Sequence, residues 1–479
     1  MRRHGRDANL ATEARVTRLR SFRALMNDRP EIRVHLPPGF LPERRYAVEV
    51  LLGHFLGFSV VFLEPGSTTD WCIDLPNGAR LVVRDAFFGR LVNTGYLDAA
   101  NIPAAVELMR HDLSGDSELP VLFGQGGLSL GPSEARLEAD VFAAAFFMLT
   151  RWEECVIPDR DAHGRFPARA SLAARAGFLG TPIVDGWVQL LKGVLDALGC
   201  PPPRAPTFSM LHTHDIDEPV TFWSSKDALR GAVSVIAKGG KLRQGLRYLG
   251  MASKLAQDPL DTFEEMMTYS EQQGLRATFY ALAEGRSRHD VSYSLAHPYV
   301  VRILERIRVR GHALGLHAGY DTLDDPSALR AQRDCLERHW GAPIVESRQH
   351  YLRFNAPLTW RHLEEAGVAV DSTCGYVDHE GFRCGTGTPY PVFDVLARRP
   401  VRVIERPIIV SDATLSLYRN LPLEAALESF RSLDRAARRW GSGFTTLIHN
   451  SFVRYPAVST AYRTFMNDLR SPASATRPR

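Results

Sequence analysis

The spacing of apolar residues divides the chain into two stretches of different rhythm. From Ile32 to about residue 201 short apolar runs alternate with turn residues. One run covers 45–62, and Pro76-Asn77-Gly78 separates Cys72-Ile73-Asp74 from Arg80-Leu81-Val82-Val83 in the pattern of a hairpin. Val141, Ala144, Ala145, Met148 and Leu149 recur at helical spacing over 140–152, and Thr181-Pro182-Ile183-Val184-Asp185 opens a second apolar helix running through Leu198. This half predicts an α+β domain. Proline then crowds the segment 200–206, as in stiff linkers between domains. Beyond it, buried-type strands recur at 207–211, 277–281, 313–316, 401–404 and 445–448, with helical stretches between many of them. That alternation predicts a β/α barrel or a doubly wound sheet. The resulting organisation is a basic lead-in over 1–31, an α+β domain over 32–200, a β/α domain over 206–470 and a disordered tail over 471–479. In the lead-in, Val16, Leu19, Phe22 and Leu25 are spaced for an amphipathic helix before Pro30.

Composition removes several function classes without naming one. Hydrophobic residues make up 45% of the 479 and charged residues 23%, ordinary values for a globular protein. A net charge of +4 is small for a dedicated nucleic-acid binder, so none is expected as a partner. The most apolar stretch, 47–63, contains Glu49 and His54 and falls short of the roughly 20 apolar residues that cross a bilayer, so no membrane span is expected. Six cysteines, none in a CxxC pair, argue against a thiolate zinc site or a disulfide scaffold and fit a reducing compartment. Asp7, Asn9, Thr12 and Glu13 stand where a secretory signal would need apolar residues. The expected location is cytoplasmic.

The chemistry-bearing residues gather where apolar runs end. Phe208-Ser209-Met210-Leu211 feeds into His212-Thr213-His214-Asp215-Ile216-Asp217. In an extended strand Asp215 and Asp217 share a side, roughly 7 Å apart, with room for a metal, a water or a substrate group, while His212 and His214 face the other way as structural residues. Capping of the following turn is the alternative for the carboxylates. Gly311 to Leu316 delivers His317, with Asp321 close behind; Ile344-Val345 leads to Arg348, His350 and Tyr351; Val368-Ala369-Val370 ends in Asp371; and Phe444 to Ile448 delivers His449-Asn450. A neutral imidazole suits zinc or a similar divalent ion, and Arg348 can orient a carboxylate through paired hydrogen bonds. The glycine-rich loop 381–389, which contains Arg383, lacks the lysine of a phosphate-binding loop. His350, Tyr351 and Arg383 are candidate substrate contacts.

These segments, in this order, make the region from about Pro206 to Val453 resemble the polysaccharide deacetylase family, also called the NodB homology domain or carbohydrate esterase family four. The resemblance implies a distorted (β/α) barrel after the α+β domain. Thr213-His214-Asp215-Ile216-Asp217 is similar to the Thr-Phe-Asp-Asp-Gly motif, which implies Asp215 as catalytic base and Asp217 as a metal ligand. Gly311 to His317 resembles the stretch ending in the first ligand histidine, so His317 inherits that role. The second ligand, four residues on, is Asp321 instead of histidine. Arg348 resembles the arginine that orients the base, Asp371 the aspartate that pairs with the catalytic histidine, and Leu447-Ile448-His449 the Leu-x-His motif of the general acid. Thr150 to Glu154 and Gly164 to Pro167 resemble an uncharacterised region that precedes such domains in some bacterial proteins.

The implied activity is metal-dependent hydrolysis of an acyl group, above all acetyl, from an amide of a sugar or polysaccharide precursor. Two alternatives differ in class. A non-catalytic carbohydrate-binding or assembly protein would account for the missing second histidine, and a hydrolase of small carbon-nitrogen substrates would use the same ion and base.

Overall fold

The computed structural model describes residues 29–470 except 65, 67, 111, 112, 114–117, 240, 254–256, 286 and 292. The expected amphipathic helix around Val16 to Leu25 and the expected tail over 471–479 lie outside the described residues. The chain forms two compact units. One comprises residues up to Tyr96, Pro103–Phe146 and Gly186–Pro206; the other comprises Leu97–Ile102, Phe147–Asp185 and the chain from Thr207 onward. Residues 147–185 therefore pack with the second half although they precede the proline-dense segment.

In the first unit, inward and outward positions alternate along Glu31–His35 (β1), with Ile32 and Val34 buried. This strand belongs to a mixed sheet with Ser59–Phe62 (β2), Trp71–Asp74 (β3), Arg80–Val83 (β4), Gly124–Leu130 (β7) and Glu134–Ala139 (β8), in the order β2-β1-β3-β4-β8-β7. A separate two-stranded ribbon pairs Glu107–Arg110 (β5) with Glu118–Val121 (β6). β3 and β4 are the antiparallel hairpin expected around Pro76-Asn77-Gly78, where Gly78 takes the positive φ of 85° that a tight turn asks for. The two apolar helices form over Val141–Leu149 and Ile183–Ala197.

The second unit is built on nine strands in the order β14-β15-β13-β12-β11-β10-β9-β17-β16. They are Ser209–Ile216 (β9), Thr278–Leu282 (β10), Ala313–Ala318 (β11), Glu346–Gln349 (β12), Val370–Asp371 (β13), Tyr390–Asp394 (β14), Arg399–Glu405 (β15), Val410–Ser411 (β16) and Gly443–Leu447 (β17). Every neighbouring pair is parallel except β14 with β15. The central strands are covered on both faces: every residue of β10 and β17 is buried, as parallel strands between helices require. Among the described residues no hydrogen-bonded pair joins β14 to β16, so strand pairing does not close the expected barrel.

Parallel strands share one consequence that matters for function, since their C-terminal ends all lie along the same edge. β9 reaches that edge later than apolarity predicts. It runs to Ile216 instead of ending near Leu211, because β10 pairs with it through Ile216 and β17 through Thr213. Ladder pairing on both sides outweighs the polarity of His212 to Asp215. No helix among the described residues is long and apolar enough to cross a membrane.

Candidate metal and catalytic site

Asp217 follows β9 directly and is the hub of the site. Its carboxylate faces three imidazoles: His317 Nε2 stands 3.2 Å from Oδ1, while His350 Nε2 and His449 Nε2 stand 3.8 and 3.6 Å from Oδ2. These histidines come from the ends of β11, β12 and β17. Ligand atoms of Asp217, His317 and His350 all lie within 4.8 Å of one another.

Each imidazole is fixed at its other nitrogen. His317 Nδ1 lies 3.0 Å from the Arg348 carbonyl oxygen. A carbonyl only accepts, so Nδ1 carries the proton and, in the neutral ring, Nε2 presents its lone pair to Asp217. His350 Nδ1 donates to Asp290 Oδ1 at 2.7 Å. Asp290 is itself pinned, its side chain only 1% exposed and accepting from the Tyr320 backbone. Asp217 Oδ1 is buried and receives no hydrogen bond. An imidazole lone pair facing a carboxylate oxygen at 3.2 Å is repulsive unless a proton or cation lies between them. Two ligands on a tetrahedral zinc stand about 3.3 Å apart, so one carboxylate and two tethered imidazoles fit such an ion. Burial opposes charge on His350, yet Asp217 and Asp290 outweigh it and push the ring up to about 9. Burial likewise works against the Asp217 carboxylate, but the surrounding imidazoles hold it well below the usual range.

Asp215 lies one pleat before Asp217 on the same side of β9. Arg348 Nη1 donates to Asp215 Oδ1 at 2.8 Å, and Asp215 Oδ2 stands 3.5 Å from His317 Nε2. Arg348 is fully buried, with donors engaged by Thr213, Ser372 and the Ser372 carbonyl and its guanidinium stacked on Tyr280. Its position is thus fixed from four directions.

His449 follows β17 and is held by Asp412, which ends β16. His449 Nδ1 donates to Asp412 Oδ1 at 2.7 Å, and its backbone N–H donates to Oδ2. Burial disfavours a charged ring here, but Asp412, Asp217 and Asp215 outweigh it and raise His449 to about 10. The ring is a protonated acid near neutral pH. Asp215, Asp217, His317, His350 and His449 line a cleft of about 390 Å³, joined by Arg165, Tyr351, Tyr418 and Tyr455 and by Leu352, Val377 and Leu447, which form an apolar patch.

Three of the residues expected at the site lie elsewhere. Asp321 is exposed on the 3-10 turn Tyr320–Leu323 and is not part of the cluster. A strand ends at Ala318 and the short turn that follows carries the Asp321 carboxylate out to solvent. His350, expected to touch substrate, stands beside Asp217 instead. Asp371 does not touch His449: it accepts from Thr373 Oγ1 beside Glu405, and burial pushes its carboxyl up to about 6. Arg383 forms a buried two-pronged pair with Glu154 and is absent from the cleft wall. Tyr351 does line the cleft, with a φ of 62° that turns the chain sharply after His350. His212 donates to or accepts from Ser270 Oγ, and His214 meets the Ile448 carbonyl; burial holds them at about 4 and about 3, as neutral packing residues. Asp290 and Asp412 were not anticipated. Asp412 ends the apolar run Ile408-Ile409-Val410, a signal of the kind that marks the other site residues; Asp290 follows no such run.

Residues 32–199 match a family of unknown function, DUF7033. No curated protein matches the chain. Solved structures similar to it include one assigned as a polysaccharide deacetylase from Mycobacterium smegmatis, 17% identical over 56% of this chain and 86% of that one, with a TM-score of 0.37. The chitin deacetylase of the fungal pathogen Colletotrichum lindemuthianum is 13% identical over 55% and 83%, with a TM-score of 0.30. PuuE allantoinase is 13% identical over 57% and 91%, with a TM-score of 0.32.

Proposed function

We propose that the protein is a metal-dependent amide hydrolase of the polysaccharide deacetylase type, removing an acyl group, above all acetyl, from an amino sugar. The observation that carries this reading is the convergence of a carboxylate and two Nδ1-tethered imidazoles beside a second, arginine-held carboxylate and a protonated histidine. Asp217, His317 and His350 would hold a zinc-like ion, which when bound polarises a carbonyl and acidifies water. Asp215, oriented by Arg348, accepts the proton of the attacking water. His449, oriented by Asp412, donates its Nε2 proton to the departing nitrogen. The Leu352, Val377 and Leu447 patch suits a small acyl methyl, and the tyrosines and Arg165 suit hydroxyl groups. The absence of a second histidine in the motif motivates a non-catalytic scaffold, but His350, next to Asp217 and His317, would serve as a further imidazole ligand, which supports the enzyme.

The test is acetate release from N-acetylglucosamine oligomers by zinc-loaded protein. Wild type should turn over, while Asp215→Asn and Asp412→Asn should each lose on the order of 10²–10⁴-fold in rate. Equal rates in all three overturn the assignment. Turnover confined to small amides would move the substrate from glycans to small molecules.

A further inference from the structure

We propose that a helical hairpin inserted after β9 docks the protein on an anionic lipid surface. The hairpin consists of helices Ser225–Gly239 and Leu242–Ala252, and it leaves the sheet at the C-terminal edge that carries the cleft. The two helices cross closely at Gly245, where any side chain would collide with Ile236. Leu229, Val233 and Ile236 on the first helix, and Leu242, Leu246 and Leu249 on the second, follow the i, i+4, i+7 spacing of a single face. Such faces normally point inward, but these are open: Val233 and Leu242 are 60% exposed and Leu246 57%. Six of the sixteen exposed large apolar side chains among the described residues fall in this short hairpin. A soluble protein seldom leaves so much apolar surface together without a use for it.

Charge decides what covers this face. Residues 225–252 contain six Lys and Arg and a single acidic residue, Asp227, a surplus of five positive charges in a chain whose net charge is +4. The remainder thus has one more acidic than basic residue. Among the described residues only Arg230 of the six has an acidic partner, Asp227. At 3.6 residues per turn Arg243 and Arg247 form a stripe beside the leucines, and Lys226 and Arg230 do the same on the first helix. Apolar side chains flanked by cations, all but Arg230 without an acidic partner among the described residues, match a headgroup interface, where the former enter the acyl boundary and the latter meet lipid phosphates. A second copy would bring the same cations face to face. Residues 1–28 are no better a match, carrying seven arginines against three acidic residues. The inference is independent of the metal site.

The experiment is flotation of the full chain with vesicles of phosphatidylcholine or of equimolar phosphatidylcholine and phosphatidylglycerol. Binding is expected to the anionic vesicles only and should weaken as salt is raised. Arg243→Gln and Arg247→Gln should each lower partitioning about fivefold. Leu242→Ser with Leu246→Ser should also reduce it while leaving the melting temperature unchanged, because both side chains are exposed. Failure to bind anionic vesicles, equal binding to both compositions, unaltered binding in these variants, or a dimer abolished by the leucine substitutions without any vesicle binding would each overturn the proposal.

Discussion

The three imidazoles around Asp217 point Nε2 into the cleft because each is tied back through Nδ1, His317 to a carbonyl, His350 to Asp290 and His449 to Asp412. Such tethers set ring orientation and basicity, and their loss typically costs a metal site 10–100-fold in affinity. Asp290→Asn should therefore weaken zinc binding by roughly that factor; unchanged affinity in a zinc titration would refute the tether. The same geometry explains which residues were readable in advance. His317 and His449 each follow an apolar run that becomes a buried strand, whereas Asp215 and Asp217 follow Phe208 to Leu211, which stays partly exposed while the polar residues from His212 to Asp215 are the buried part of β9; in all four cases the pattern brings the residue to one edge. The resemblance implies Asp321 as the second ligand, but the chain after His317 ends its strand at Ala318 and turns, leaving Asp321 exposed and outside the cluster. His350, which follows β12, stands beside Asp217 and His317, a relation between two strands that no local spacing encodes. Asp412 ended an apolar run as clearly as the others did, yet the resemblance drew the partner of His449 to Asp371.

At the scale of elements, strands rich in apolar residues were legible and polar ones were not. β12 reads Glu-Ser-Arg-Gln, yet Ser347, Arg348 and Gln349 are buried, because Arg348 is satisfied by hydrogen bonds and its neighbours on both sides are parallel strands. The loop 381–389 shows the same principle. Its Arg383 packs into a buried network with Glu154, Arg151 and Tyr376 rather than reaching for substrate. Burial opposes the Glu154 charge, but Arg383 and Arg151 outweigh it and hold the carboxyl at about 2 against an ordinary 4.5. A depressed carboxylate stabilises the fold above its ordinary value and loses that contribution as pH falls through the folded one. Glu154 thus contributes on the order of 3 kcal/mol, lost between about pH 4.5 and 2. Glu154→Gln strands the buried Arg383 guanidinium, while Arg151 keeps Glu153, and should cost about 3–5 kcal/mol in urea unfolding near neutral pH. The difference from wild type should shrink as pH is lowered through that window; a gap independent of pH would contradict the pairing.

At the scale of the molecule, the parallel sheet collects residues from 215 to 449 onto one edge, so the proposed site exists only once distant strands have paired. An ion held there would join the ends of β9, β11 and β12 and would stabilise the folded chain by mass action. The most direct measurement is calorimetric zinc titration of metal-free protein, comparing wild type, His350→Ala and Asp321→Ala. One equivalent should bind wild type and Asp321→Ala with similar affinity, and His350→Ala should lose it. Binding that survives in His350→Ala but disappears in Asp321→Ala, or no binding to wild type, would contradict the account.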